Sequence, residues 1–325
     1  MQTSKFFACS AAAVVAAVAA LTTTLAEAQA YPSREIRFIC AFPAGSGADV
    51  LVRYFADAVQ KLSGNTIIVE NKSGAAGLIA TEYVARSRPD GYTVFVHAGS
   101  AVSNIPALYK KPPIDVSRAL EVVGTINRQP FMIAVDAKSP YKTLAQLTAA
   151  LKKKGDKATY GASATTGTVM AEIYKARTGI KAVEVNYKTA GDSLNDQLSG
   201  RLDFTAVDPV YAIAQQNEGR LRLLAVSTGE RLQANPNIPT MKEQGVDMDV
   251  TGWWAAMVPA GTPPAVKAKL YEWFHKSVSS PETKAFLNKF GGDPLIETPE
   301  QAQARLLRDI AVWKEYAKIA KIVPQ

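Results

Sequence analysis

Apolar and polar positions along the chain follow two alternating periods. Residues 36–41 form a nearly unbroken apolar run closed by Pro43-Ala44-Gly45-Ser46-Gly47, which predicts a buried strand leading into a turn. A helical stripe follows, with Val50, Tyr54, Ala58 and Leu62 four apart, Leu51, Phe55 and Val59 beside them, and Gly64 as the stop. Residues 66–69 predict a strand. The loop Gly74-Ala75-Ala76-Gly77 precedes a helix to about residue 87, Pro89-Asp90-Gly91 a turn, and 92–96 another strand. After a less regular stretch over 103–118 the pattern restarts. Strands are expected at 131–135, 159–162, 183–186, 204–207 and 221–227, and helices at Leu144/Leu147/Leu151, 168–178 and 193–198. A Pro-bearing connector, 235–240, runs toward a last strand over 251–258. Pro263 and Pro281 open helices, and Ala302, Leu306, Ile310, Trp313, Ala317 and Ala320 mark a closing one.

Such alternation argues for α/β architecture, with helices on both faces of a parallel sheet. The restart divides the chain into two units, 31–127 plus 251–325 and 128–250, joined by paired crossovers that suit a hinge closing on a ligand. A length of 325 residues fits two domains. With 47% hydrophobic and 20% charged residues, global disorder is excluded. Lys5, the apolar segment 6–21 and Ala28-Gln29-Ala30 form a secretory leader, with cleavage expected near Ala30 and the mature protein in the periplasm. Cys9 leaves with it, so Cys40 stands alone, without an internal disulfide, in a buried strand. The formal charge is +8. Lys152-Lys153-Lys154 sits at a helix end, and Lys314, Lys318 and Lys321 lie on a polar helix side. Neither group is interleaved with aromatics, so no nucleic-acid partner is expected. Strand alternation sends one ring of Trp253-Trp254 to the core and the other toward the hinge or cleft.

Catalytic equipment is sparse. There are two histidines: His275 in a helix among Trp273, Phe274 and Val278, and His97 at a strand end, where α/β proteins place ligands. No metal-ligand spacing occurs, and neither metal nor cofactor is expected. Gly161-Ala162-Ser163-Ala164-Thr165 approximates a nucleophile elbow but lacks its last Gly; Ser163 and His97 would be the pair for a secreted hydrolase. Gly45-Ser46-Gly47-Ala48-Asp49 fits neither a Walker loop nor a dinucleotide fingerprint. It does carry a strand into a helix, whose first-turn N–H groups are unpaired and partly positive. Ser163-Ala164-Thr165-Thr166-Gly167-Thr168 repeats the device in the second unit. Two such ends facing each other would hold a carboxylate; by spacing alone, ordinary strand–helix turns explain them equally. Asp49 would repel an anion and is expected to cap its own helix, so that Asp49→Ala costs about 1 kcal/mol.

Across almost the whole mature chain, the ordered motifs resemble the periplasmic receptors of tripartite tricarboxylate transporters, the Bug receptors. These are Tyr31-Pro32 with Ile36-Arg37, Phe42-Pro43-Ala44-Gly45-Ser46-Gly47-Ala48-Asp49, Val69-Glu70-Asn71-Lys72-Ser73-Gly74-Ala75-Ala76-Gly77 and Pro89-Asp90-Gly91-Tyr92-Thr93. They continue in Tyr187-Lys188, residues 196–203, Leu224-Ala225-Val226 with Arg231, Ile238-Pro239-Thr240, Pro259-Ala260-Gly261-Thr262-Pro263 and Thr298-Pro299-Glu300. The resemblance implies a two-lobed type II periplasmic-binding fold with a hinge and central cleft. It implies a monomer that captures a small carboxylated solute for two integral-membrane subunits; a sensory receptor docking on a signalling protein would share the fold. Carried over, the ligand residues are Phe42, Ala44, Gly45, Ser46, Ala48 and Asp49, then His97, Ala98, Gly99 and Ser100, then Ser163, Ala164, Thr165, Thr166, Gly167, Thr168 and Asp208. The chain departs from its relatives at Ser46, where Gly is usual. It departs again at 165–168, where the loop is shorter and the His-Leu pair of many relatives is absent.

Overall fold

The computed structural model describes residues 31–187 and 189–324; the leader falls outside them. The first sheet has six strands in the order β11-β4-β10-β3-β1-β2. These are β1 (Ile36–Cys40), β2 (Ile67–Asn71), β3 (Thr93–Ala98), β4 (Leu120–Gln129), β10 (Gly252–Pro259) and β11 (Asp293–Pro294). The second sheet, of five strands, runs β7-β6-β8-β5-β9. It comprises β5 (Met132–Asp136), β6 (Thr159–Ala162), β7 (Val183–Asn186), β8 (Phe204–Val207) and β9 (Leu221–Val226). In each sheet one edge is parallel, β2-β1-β3 and β7-β6-β8, and the remaining pairs given by the register are antiparallel. The sheets are therefore mixed rather than fully parallel.

Helices α1 (Gly47–Ser63), α2 (Leu78–Ala85), α3 (Gly99–Leu108) and the short α4 (Val116–Ala119) belong to the first sheet's connections. Helices α5 (Leu144–Lys154), α6 (Thr165–Thr178), α7 (Ala190–Leu198) and α8 (Pro209–Asn217) belong to those of the second. Three more, α9 (Pro264–Val278), α10 (Pro281–Lys289) and α11 (Pro299–Ile319), end the chain. On α1 the buried stripe is Leu51, Val52, Phe55, Ala56 and Val59, whereas Val50 lies outside it at 42% exposure. The stretch expected to be irregular holds α3, which tolerates Pro106 one turn and more from its start, and leads into the ten-residue β4. Helix α8 was also unexpected; Asp208 caps it and Pro209 occupies its first turn, where a missing N–H costs nothing. Helix α6 starts at Thr165, three residues earlier than the apolar pattern suggests.

Both faces of the first sheet are covered, so Trp253 and Trp254 point to opposite faces and both are buried. Trp253 packs with Phe95, Val102 and Leu306 and donates its indole N–H to Asp309 Oδ2 at 2.5 Å. Trp254 packs with Phe38 and Phe274 and stacks on Phe42, with ring centroids 5.8 Å apart. Cys40 is wholly buried, where it behaves as a small hydrophobe; burial raises its thiol pKa.

Strands β4 and β10 carry the chain between the sheets. A second tie is polar: buried Asp293 accepts the N–H groups of Gln233 (2.7 Å) and Ala234 (2.9 Å), and Asn235 donates to Gly291 O (2.9 Å). The third is α11. Its Ala302 and Leu306 pack in the first sheet's core, while Trp313 and Ala317 pack with Val169 and Ile173 in the second. Truncating a buried aromatic removes its transfer free energy and leaves a cavity. Trp313→Ala is expected to cost about 3 kcal/mol, against less than about 0.5 for Leu307→Ala at an exposed position. Urea titrations of the two variants give the comparison.

Candidate functional site

In both sheets the expected site residues follow the carboxyl ends of parallel strands, where α/β folds gather ligand-binding loops. Phe42, Ala44, Gly45, Ser46, Ala48 and Asp49 follow β1; Ser163 to Gly167 follow β6; Asp208 follows β8. The two groups meet. A β-carbon built on Gly47 would lie 3.6 Å from Val210 Cγ1 in the first turn of α8. One built on Gly167 would lie 2.7 Å from Ala206 O, so α6 starts hard against the end of β8, beside the start of α8. Hence the starts of α1 and α8 face each other across the two halves, with the start of α6 adjoining.

These helices differ in their caps. Ser46 caps α1, its Oγ accepting Asp49 N–H at 3.2 Å, and Asp208 caps α8, accepting Tyr211 N–H at 3.0 Å. This corrects the expectation for Asp49, which is not the cap but lies in the first turn, three residues after Ser46, and reaches back to Gly45 N–H. Helix α6 follows Ala164, which makes no side-chain capping bond. Thr165, Thr166 and Gly167 therefore present first-turn N–H groups without a side-chain acceptor, since the first intrahelical bond is from Thr168 N–H to Ala164 O. In α1 the N–H groups of Gly47 and Ala48 are likewise ahead of the first intrahelical bond, from Val50 to Ser46. The half-buried Ser163, Thr165 and Thr166 add hydroxyls beside the free donors, whereas Thr168 Oγ1 donates to Glu184 at 2.6 Å.

A buried polar network shapes the first loop. Asp49 Oδ2 accepts Gly45 N–H and Arg53 Nε–H, both at 2.9 Å. Asp49 Oδ1 accepts from Asn71 Nδ2 at 2.8 Å. Ser46 Oγ donates to Pro43 O at 2.8 Å. Burial alone would raise the Asp49 pKa; the bonds from Arg53, Asn71 and Gly45 outweigh it and bring the carboxyl down to about 2. Its charge is thus spent inside the loop rather than offered to a ligand. Asp208 goes the other way: burial raises its pKa despite the bond from Tyr211.

His97 and Ala98 end the neighbouring strand β3, and Gly99 and Ser100 begin α3. His97 is buried between Phe42 (ring centroids 5.3 Å) and Phe95 (4.8 Å), and its Nδ1 has no hydrogen-bond partner among the described residues. Burial pushes its pKa down to about 3, so the imidazole is neutral. It offers no positive charge to an anion, and no hydrogen bond joins it to Ser163, as a nucleophile–base pair would require. Gly99 is pressed against Trp253, 2.3 Å from a built β-carbon, which buries the start of α3. Arg53 and Val210 were not singled out by the sequence, and Asn71 stood only within a motif of the resemblance, without a role. The i,i+4 spacing of Asp49 and Arg53 was readable on the helix; the Asn71 contact, across 22 residues, was not.

The chain is similar along its length to a family described as "Tripartite tricarboxylate transporter family receptor", which matches residues 51–322. The match begins immediately after the first loop. A UPF0065 protein of Cupriavidus necator is 31% identical over 329 residues, covering 99% of this chain and 98% of that protein. The solved structure of R. palustris Rpa4515 with adipate has a TM-score of 0.81 at 28% identity, over 91% of this chain and 100% of that one. That of the periplasmic binding protein BugD has a TM-score of 0.77 at 28% identity, with the same coverage. The fold is therefore the two-lobed α/β architecture of periplasmic binding proteins.

A carboxylate whose pKa is depressed on folding stabilises the native state above its unfolded value and ceases to do so as pH falls through the folded value. The Asp49 contribution should be complete above about pH 4 and disappear toward pH 2. Asp49→Ala, which removes the acceptor for three donors, should lower stability by about 2 kcal/mol at neutral pH, more than the loss of a simple cap. Thermal melts from pH 7 to 2 check both, the difference from wild type narrowing only at the acid end.

Proposed function

Because the chain belongs to the tripartite tricarboxylate transporter receptor family, we propose that it captures a small carboxylated solute between two lobes and delivers it to two integral-membrane subunits. The lobes are residues 31–127 plus 251–325 and residues 128–250, with α11 lying across both. Delivery takes place in the periplasm, after removal of the leader near Ala30. The protein's work is binding and release rather than turnover.

The observation that carries this reading is the uncapped start of α6, adjoining the facing starts of α1 and α8. The N–H groups of Gly47 and Ala48 on one side and of Thr165, Thr166 and Gly167 on the other are donors without acceptors, with the helix dipole behind them. A carboxylate is the small group that satisfies several such donors at once and gains from the dipole. Adipate in the related R. palustris structure is an acid of this kind. Ser163, Thr165 and Thr166 supply adaptable hydroxyls, and with a neutral His97 the site holds its anion without a histidine cation.

A ligand that binds only the folded state raises stability by mass action, by about 2.7 kcal/mol at a hundred times its Kd. Thermal-shift titration with adipate, succinate, citrate and benzoate should raise the melting temperature for at least one acid, and the matching amide should leave it unchanged. Stabilisation by neutral sugars with no response to any acid would contradict the reading.

A further inference from the structure

The first loop presents its donors only if its backbone is held in one shape, and its own residues do only part of that. We infer that Asn71, at the carboxyl end of the neighbouring strand β2, is a positioning residue that fixes the ligand loop Phe42–Ala48 through its carboxamide. The Nδ2 group donates both to Phe42 O at 2.9 Å and to Asp49 Oδ1 at 2.8 Å. The Oδ1 atom accepts from Arg53 Nη2 at 3.1 Å. One planar group thus grips the loop at its entry, Phe42, and, through Asp49, at its exit. Asp49 in turn fastens Gly45 N–H between them.

The division of labour among the donors is what gives this role functional content. Gly45 N–H and Asp49 N–H are taken up within the loop, and Ser46 N–H bonds to Pro43 O. Gly47, which sits near Val210 of α8, and Ala48 keep theirs free. Asparagine suits the task because it needs one donor end and one acceptor end in the same plane. Aspartate would lose the donor end and set a like charge against Asp49; alanine would lose both. Glycine at 45 is also required, since its φ of +80° is strained for other residues. Phe42 links the loop to the core by stacking on Trp254, so the carboxamide and the ring hold the loop's entry from two sides.

This inference rests on the carboxylate reading of the cleft, and two measurements keep the two apart. In Asn71→Ala, amide hydrogen exchange at residues 42–48 of the ligand-free protein should quicken by about tenfold or more, while exchange in β6 and α6 stays unchanged. This arm needs no ligand. With adipate as the probe, calorimetry should show affinity reduced by about tenfold or more at a temperature where the variant is fully folded. If wild type does not bind adipate, the carboxylate reading is tested elsewhere and the exchange arm decides for Asn71. Asn71→Asp should show the same excess of exchange over wild type at neutral pH, and that excess, compared at equal pH, should shrink on acidification as a proton restores a donor. The groups facing that position are Asp49 and Arg53 from α1 and the Cys40 thiol from β1. Exchange and affinity unchanged in Asn71→Ala, with only the melting temperature lowered, would overturn the proposal. So would an Asn71→Asp phenotype indifferent to pH.

Discussion

A helix whose first turn lacks a capping side chain carries N–H groups that must be met from outside the helix. In this protein α6 begins after an alanine beyond the carboxyl end of a parallel strand, and the starts of α1 and α8 stand beside it, Gly47 facing Val210. Unmet donors and aligned dipoles of this kind attract a carboxylate without needing a basic side chain. The surroundings are arranged accordingly. Asp49 is neutralised by Arg53 and bonded into its own loop, and His97 is held neutral by burial. Side-chain charge is thereby kept from competing with the backbone for the ligand.

The frame that brings these ends together is a pair of mixed sheets. Strands β4 and β10 connect them, buried Asp293 accepts two N–H groups from the other half, and α11 packs in both cores. The polar tie reaches the start of α8, since a β-carbon built on Gly291 would lie 2.7 Å from Pro209 Cβ. Movement between the halves must preserve or exchange these contacts, so the cost of opening is set by polar bonds at Asp293 and by the packing of Trp313, not by the ligand loops alone.

Much of this was legible in the chain. Alternating apolar runs and four-residue stripes located most strands and helices, and the turns after β1 and β6 marked the two loops proposed to hold the ligand. What escaped is instructive. Strand β4, Leu-Glu-Val-Val-Gly-Thr-Ile-Asn-Arg-Gln, mixes polar residues into a strand flanked on both edges, and its place is decided by the partner β10, far along the sequence. Helix α3 contains Pro106 and begins with a glycine flattened against Trp253, so local propensity gave no sign of it. The Asp208-Pro209 start of α8 is a local signal and could have been read. Asn71 could not: its meaning depends on a carbonyl and a carboxylate that only the fold brings near.

In the proposed complex, backbone amides from both halves share one carboxylate. Amide nitrogen–proton NMR on the isotopically labelled protein, titrated with an organic acid that raises its melting temperature, addresses it directly. The account predicts saturable downfield shifts at Gly47 and Ala48 together with Thr166 and Gly167, absent with the corresponding amide. Shifts confined to one of the two loops, or produced equally by the uncharged amide, would contradict it.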